Sequence, residues 1–267
     1  MFLTRLASGV VLMLVALTTM SLGGWPLALI SWSVSLIAFR ELTNALKCGR
    51  GLEILGYVGI TGYYLLLYFH GNHTLLFMCI VGVFLAYLFA YVIAFPKYHA
   101  NQVMAAVFSF LYGPVLLSFV YQTRMCTQGF YMVWMILISS WGCDTCAYVV
   151  GKLIGKKKIF PVLSPKKSLE GCIGGVVGTA LLGWLYGYFF VETALGDKGA
   201  AWAIALICAV GAVMSMVGDL AASGVKRNLN IKDYGKLIPG HGGIMDRFDS
   251  MIVTAPMTYF LTILLLT

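Results

Sequence analysis

Apolar residues run along this chain in long segments that are separated by short polar breaks. Nine segments of suitable length occur, at residues 5–22, 25–45, 53–70, 74–95, 101–121, 130–150, 170–191, 199–221 and 248–266. About 20 apolar residues are enough to cross the hydrocarbon core of a bilayer as an α-helix. The segments lack the period-two alternation of membrane barrel strands. The pattern therefore predicts an all-α polytopic membrane protein with about nine transmembrane helices.

The composition agrees with this pattern. Of the 267 residues, 60% are hydrophobic and 10% are charged, whereas soluble domains carry roughly 25% charged residues. The breaks between the segments are too short for a separate soluble domain, so we expect one integral-membrane domain over residues 1–267. A cleaved signal peptide is the alternative for the first segment, but its apolar run is long and no clear A-x-A-like site closes it.

Charged residues are distributed unevenly between the two faces that nine helices define. With the N-terminus inside, 16 of the 18 Lys and Arg residues lie at the inner face, and only Arg124 and Lys198 lie outside. Because cytoplasmic loops collect Lys and Arg, this predicts a cytoplasmic N-terminus. Eight acidic residues also lie at or near the inner face: Glu41, Glu53, Asp144, Glu170, Asp219, Asp233, Asp246 and Asp249. Carboxylates within or beside apolar spans are costly and usually serve a site.

The segment between the last two apolar runs carries several groups that suit phosphate chemistry. Asp219 ends one run, and a basic stretch and a turn rich in Gly and Pro follow it. Asp246 and Asp249 then open the last run, and their spacing of three puts them on one helix face. Mg²⁺ in proteins is bound through one or two carboxylates together with phosphate oxygens. The residues therefore predict a site for metal-bound phosphate. The alternative is a solvated basic loop in which the aspartates cap helices, but the helix dipole disfavours Asp219 at a C-terminal end.

A family pattern lies in the same segment. It reads Ser223-x-x-Lys226-Arg227-x₄-Lys232-Asp233-x-Gly235, then Pro239-x-His241-Gly242-Gly243-Ile244-x-Asp246-Arg247-x-Asp249. This resembles the phosphatidate cytidylyltransferases, or CDP-diacylglycerol synthases, throughout its length. A second stretch is also similar to that family, from Asp144 through Ser164-Pro165-Lys166-Lys167-Ser168. The resemblance covers residues from about 140 to 255, the expected catalytic part, and the N-terminal half matches in hydropathy alone.

The resemblance implies an enzyme that joins CTP and phosphatidic acid to give CDP-diacylglycerol and pyrophosphate. The residues expected to act in catalysis are Lys226, Arg227, His241 and Arg247. Those expected to bind substrate are Ser223, Lys166, Lys167, Lys232, Gly242 and Gly243. The expected ligands of one or two Mg²⁺ ions are Asp219, Asp246, Asp249 and Asp144. We further expect a bacterial inner-membrane enzyme with its site on the cytoplasmic face, a homodimer by analogy with the family, and no nucleic-acid partner.

Two other classes of protein are weighed against this interpretation. Another membrane phosphotransferase would also need aspartates near the membrane, but the D-G-x₂-A-R pattern of CDP-alcohol enzymes is absent. A secondary transporter would predict internal repeats and charged or broken helices near mid-membrane, and the sequence shows neither clearly.

Cys143 and Cys146 form a C-x-x-C without the further ligands that a zinc site needs. The glycines of the seventh segment, several at G-x-x-x-G spacing, predict close helix packing.

Overall fold

The computed structural model describes residues 2–238, 240 and 242–266, with side chains from residue 8 onward. Over these residues the chain forms nine helical segments and no β-strand. The helices are α1 (Phe2–Leu22), α2 (Gly24–Ala45), α3 (Arg50–Phe69), α4 (His73–Ile93), α5 (Ala100–Met125), α6 (Gly129–Ile154), α7 (Leu169–Leu195), α8 (Ala200–Asn228) and α9 (Met245–Leu266). The predicted number and type of elements are confirmed.

Seven of these helices, α3 to α9, are long and apolar enough to cross a membrane. Helix α1 contributes a shorter apolar stretch among the described residues, Ser8–Leu22. Helix α2 is not among the seven, and its last turns carry Arg40, Glu41 and Asn44, which lower its hydropathy. The protein is thus an all-α polytopic membrane protein. That α1 and α2 also span the bilayer stays a prediction.

The helix ends differ from the predicted ones around the basic segment. Helix α8 continues to Asn228, well beyond the predicted end at residue 221, so that Ser223, Lys226 and Arg227 lie on a helix. Helix α9 begins at Met245, three residues before the predicted start. Hydropathy marks where a helix leaves the apolar layer, whereas Lys and Arg are good helix formers and allow α8 to continue.

Among the described residues, three helices contain a π-helical turn, which widens the backbone locally. In α5 this turn, Leu111–Val115, includes Pro114, whose nitrogen has no hydrogen to donate. In α6 the turn is Ile138–Gly142, directly before Cys143 and Asp144. Such turns are frequent at functional sites.

The chain divides into two compact units, and the first comprises Met1–Tyr121 and Asp233–Arg247. Its core is formed by fully buried large side chains, including Phe39, Tyr63 and Tyr87. A side chain at Gly56 would collide with Phe39 and with the Tyr87 hydroxyl, so that glycine lets the helices α2, α3 and α4 approach closely.

The second unit comprises Gln122–Lys232 and Phe248–Thr267, and helix α7 lies between α6 and α8 within it. A Cβ built at Gly178 would lie 2.7 Å from the Cys146 sulfur on α6. One built at Gly187 would lie 2.6 Å from the Cα of Ala201 on α8. The glycines of α7 therefore serve close packing, as the sequence predicts. That the two units act as a single domain stays a prediction.

Candidate active site

A cavity of about 500 Å³ lies in the second unit, between α6, α7 and the loop that joins them. Its size is that of typical small-molecule sites. The charged side chains in its wall are one carboxylate and four amines, from Asp144, Lys152, Lys158, Lys166 and Lys167. The excess of positive charge suits a ligand with several phosphate groups.

An ion pair links this cavity to helix α8. The Nζ atom of Lys167 lies 2.6 Å from Oδ2 of Asp219, and both side chains are partly exposed. Asp144 on α6 lies within electrostatic range of both residues. Asp249 on α9 interacts electrostatically with Asp219, Asp144 and Lys226. Three of the four predicted metal-binding aspartates are therefore neighbours within one unit.

Close helix contact explains why Asp219 and Asp249 come together. A Cβ at Gly218 would lie 2.5 Å from the backbone oxygen of Asp249 and 3.2 Å from the Cα of Ser250. Glycine thus allows the backbones of α8 and α9 to touch beside the two carboxylates. The buried Asp249 also accepts a hydrogen bond from the backbone N–H of Ser250 at 2.8 Å.

The lysine-rich loop between α6 and α7 is held by hydrogen bonds to its own backbone. Glu170 accepts from the N–H groups of Lys156 at 3.0 Å and Lys157 at 3.2 Å. The Lys158 amine donates to the backbone oxygen of Lys166 at 3.0 Å. Ser168 caps α7 by accepting from the N–H of Gly171 at 3.2 Å. These contacts fix the course of a loop that like charges would otherwise extend.

The oxygen donors of the aspartate cluster are of the type that Mg²⁺ takes in proteins. Among the described residues, no group of three His, Cys, Asp or Glu side chains is arranged to hold a metal ion. Mg²⁺ usually takes only one or two carboxylates and completes its octahedron with water and substrate phosphates. A partial set from Asp144, Asp219 and Asp249 is therefore of the right chemical type.

Asp246 lies in the first unit, in the stretch Asp233–Arg247, which we name the signature segment. Its Oδ2 atom accepts hydrogen bonds from the backbone N–H groups of Tyr234 at 2.8 Å and Gly243 at 3.0 Å. Gly242 has a φ of +89°, a conformation that favours glycine. The predicted metal ligand Asp246 thus holds the turn of this segment together.

The remaining predicted residues are placed as follows. Ser223 and Lys226 are partly exposed on α8, and Arg227 and Lys232 are exposed, all in the second unit. In the first unit, Arg247 is exposed, Gly242 is partly exposed and Gly243 is buried. His241 lies outside the described residues.

One residue beside the signature segment was not predicted. Glu41 on α2 is buried, and its two carboxylate oxygens accept from the N–H groups of Ile244 at 3.1 Å and Met245 at 2.8 Å. The sequence signal was an acid at the end of an apolar run, which is costly without a partner. The sequence does not reveal the partner of Glu41, because Ile244 lies more than 200 positions away in the chain.

Comparison with known protein families shows the family to which this chain belongs. The sequence matches the model of the Cytidylyltransferase family over residues 3–265. The chain belongs to the cytidylyltransferase family. This match also covers the N-terminal half, which had resembled the family in hydropathy alone, and it includes helix α2 with Glu41.

Several relatives of this cytidylyltransferase are similar along their whole length. A protein of Staphylococcus saprophyticus is 29% identical over 263 residues, which is 97% of this chain and 98% of the relative. Proteins of Staphylococcus haemolyticus and Staphylococcus aureus are 29% and 28% identical, again over 97% of this chain and 98% of theirs. All three bear the name phosphatidate cytidylyltransferase.

Proposed function

We propose that this cytidylyltransferase transfers the CMP group of CTP to phosphatidic acid, giving CDP-diacylglycerol and pyrophosphate. The observation that carries the proposal is the aspartate cluster beside a lysine-lined cavity. One ligand with several phosphates and a second with a single phosphate both suit such a site. The names of the full-length relatives support the same reaction.

The reaction is an in-line substitution at the α-phosphorus of CTP. A lipid phosphate oxygen forms the new bond to this phosphorus, and the bond to the β-phosphate oxygen breaks, so pyrophosphate leaves with its electron pair. No general base is required, because a phosphate monoester with a second pKa near 6 is largely ionised at pH 7. Catalysis then rests on positioning and on charge stabilisation.

The lysines of the cavity wall supply positive charge at fixed positions. Lys166 and Lys167 come from a loop whose backbone is held by Glu170, Lys158 and Ser168. Their amines would bind the phosphates of CTP or the phosphate of the lipid. Lys226 on α8 interacts with Asp249 and would contribute from that helix. Charge that develops on the leaving pyrophosphate is thereby offset.

We assign Asp144, Asp219 and Asp249 to magnesium binding. When bound there, Mg²⁺ supplies positive charge that orients the triphosphate and offsets charge on the leaving group. Asp246 is assigned a different role, because its Oδ2 already accepts two backbone hydrogen bonds within the signature segment. Gly242, Gly243 and Arg247 of that segment keep their predicted roles in substrate binding and catalysis, as does His241.

The membrane setting of the reaction follows from the charge bias. We propose a bacterial inner-membrane enzyme with its N-terminus and catalytic groups at the cytoplasmic face, where CTP is available. The lipid substrate would remain in the bilayer while its phosphate reaches the inner ends of the helices. Homodimer formation is retained as a prediction from the family resemblance.

An assay in detergent micelles tests this function. The purified protein is incubated with labelled CTP, Mg²⁺ and phosphatidic acid, and the lipid product and pyrophosphate are measured together. Equal amounts of the two products are expected. Parallel reactions contain diacylglycerol or a polyprenyl phosphate as the acceptor. Turnover with one of these and none with phosphatidic acid would instead favour another membrane phosphotransferase, and binding without turnover would favour a transporter.

A further inference from the structure

Glu41 is a buried carboxylate that the mechanism above does not use. Its side chain is 7% exposed and belongs to helix α2 of the first unit. Burying a carboxylate is costly unless hydrogen bonds compensate for the lost water. The compensation comes from the backbone N–H groups of Ile244 and Met245, at the start of α9.

Glu41 and Asp246 together bind three successive N–H groups. Asp246 accepts from Gly243, and Glu41 accepts from Ile244 and Met245. The first N–H groups of a helix have no partner within it. The positive end of the helix dipole also favours anions there. Two carboxylates thus fix the backbone where the signature segment enters α9.

The segment is shaped to fit around Glu41. A Cβ at Gly235 would collide with Oε1 of Glu41, and one at Gly243 would collide with both carboxylate oxygens. Both glycines belong to the family pattern quoted above. Their lack of a side chain is explained by the close approach of this carboxylate. The two ends of the turn, around residues 235 and 243, therefore rest against the same group.

A cap that served only helix stability would be expected from a neighbouring residue, since helix caps are normally local. Glu41 instead precedes its partners by 203 and 204 positions. It thereby ties the signature segment to the helix α2 core, in which Phe39 and Leu42 are fully buried. A rigid support of this kind holds reactive groups in a fixed geometry.

We propose that Glu41 is a positioning residue for the cytidylyl transfer, acting through the signature segment. The inference rests on the proposed function for its kinetic part, whereas its structural part concerns the course of the segment itself. Removal of the carboxylate leaves the N–H groups of Ile244 and Met245 without an acceptor. The turn then loosens, and the residues it carries, including Gly242 and Arg247, lose their fixed geometry.

The test compares Glu41→Gln with Glu53→Gln. The amide of glutamine retains one acceptor and presents a donor to the other N–H group, so one of the two hydrogen bonds is lost. Glu53 is the matched control because it is an acid on helix α3 of the same unit, where it accepts a hydrogen bond from the Tyr57 hydroxyl on its own helix. For both variants, kcat and KM for CTP and the thermal unfolding temperature are measured with phosphatidic acid as the acceptor.

A second readout follows the segment without relying on turnover. Lys236 is exposed, so Lys236→Cys reports the accessibility of the turn through its rate of maleimide labelling, measured by mass spectrometry. We expect Glu41→Gln to raise this rate and to lower kcat/KM by about 10- to 100-fold, by analogy with residues that orient the ligands of a metal site. Glu41→Asp should recover part of the loss, and Glu53→Gln should change neither quantity.

Three results overturn the inference. The first is a Glu41→Gln variant whose kcat/KM and labelling rate both stay within twofold of the parent values. The second is a loss of activity that a lower unfolding temperature explains by itself. The third concerns Gly235→Ala, which is used if Glu41→Gln does not fold, because its added Cβ displaces the Glu41 carboxylate. This variant should also raise the labelling rate and lower kcat/KM, and the absence of both changes overturns the inference. A parent protein that labels as expected but does not turn over phosphatidic acid refutes the proposed function instead.

Discussion

Lys167 and Asp219 form an ion pair, with 2.6 Å between Nζ and Oδ2, that joins the loop after α6 to helix α8. The lysine also lines the cavity, while the aspartate interacts electrostatically with Asp144 and Asp249. One amine therefore contacts both the proposed phosphate site and the proposed metal ligands. The two side chains are partly exposed, but the Nζ atom of Lys167 is itself buried, so the pair also offsets the cost of placing this charge away from water. Its importance is expected in catalysis.

Replacement of Lys167 tests the phosphate-binding role of the cavity. Lys167→Met retains the length of the apolar stem and removes the charge. We expect kcat/KM for CTP to fall by about 10²- to 10³-fold, as when one preorganised donor to a developing charge is lost. Lys157→Met is the control, since that residue is exposed in the same loop but does not line the cavity. A decrease of equal size in both variants would contradict a specific role for Lys167.

Replacement of Asp219 tests the metal assignment. Asp219→Asn removes a negative charge from the cluster and should raise the Mg²⁺ concentration required for half-maximal activity by at least about tenfold, as expected when a ligand loses its charge. The measurement is a magnesium titration of turnover at saturating CTP. Asp197→Asn is the control, since Asp197 is exposed and lies before α8. An unchanged magnesium requirement in Asp219→Asn would exclude it as a ligand.

Metal removal is a separate check on the same assignment. EDTA is expected to abolish turnover, and excess Mg²⁺ is expected to restore it. With the acids at positions 144 and 249 replaced singly by the amides, Asp144→Asn and Asp249→Asn, the activity restored at high Mg²⁺ should be lower than that of the parent. Full turnover in the presence of EDTA would show that the lysines alone support the reaction.

The sequence predicts the helices of this protein well because hydropathy reports directly on the membrane environment. The nine predicted segments correspond to the nine helices of the described residues, and the predicted packing role of the α7 glycines is confirmed. The errors lie at helix ends, where hydropathy and helix propensity diverge. Lys226 and Arg227 are too polar to count as a span, yet they continue α8 for two further turns. At this end of α8, the helix is therefore longer than the apolar run from which it is predicted.

The candidate site was only partly predictable, for a physical reason. Residue type and spacing predict the aspartates of the site and place Asp246 and Asp249 on one helix face. Spacing does not show that Oδ2 of Asp246 accepts from Tyr234 and Gly243. Nor does it show that Glu41 contacts the start of α9, because that contact joins residues remote in the chain. Both facts depend on tertiary packing.

Close packing of α7 on α8 gives a prediction for stability. Gly187→Ala places a Cβ 2.6 Å from the Cα of Ala201, and a backbone atom yields less easily than a side chain. We expect a loss of about 1–3 kcal/mol in the free energy of unfolding, the usual cost of overpacking. Gly62→Ala is the control, because its Cβ would have no neighbour within 4 Å. That change should be neutral or stabilising, since alanine favours helix over glycine by about 1 kcal/mol. Unfolding temperatures in detergent compare the two.

A native thiol offers a direct test of where CTP binds. Cys172 lies on α7, is partly exposed and lines the same cavity as Lys166 and Lys167. Bound CTP should shield it, so its rate of maleimide labelling, measured by mass spectrometry, should fall by about tenfold at a CTP concentration of ten times Kd. Cys79 on α4, in the other unit, is also partly exposed and serves as the internal control. Equal labelling of Cys172 with and without CTP would place the nucleotide elsewhere.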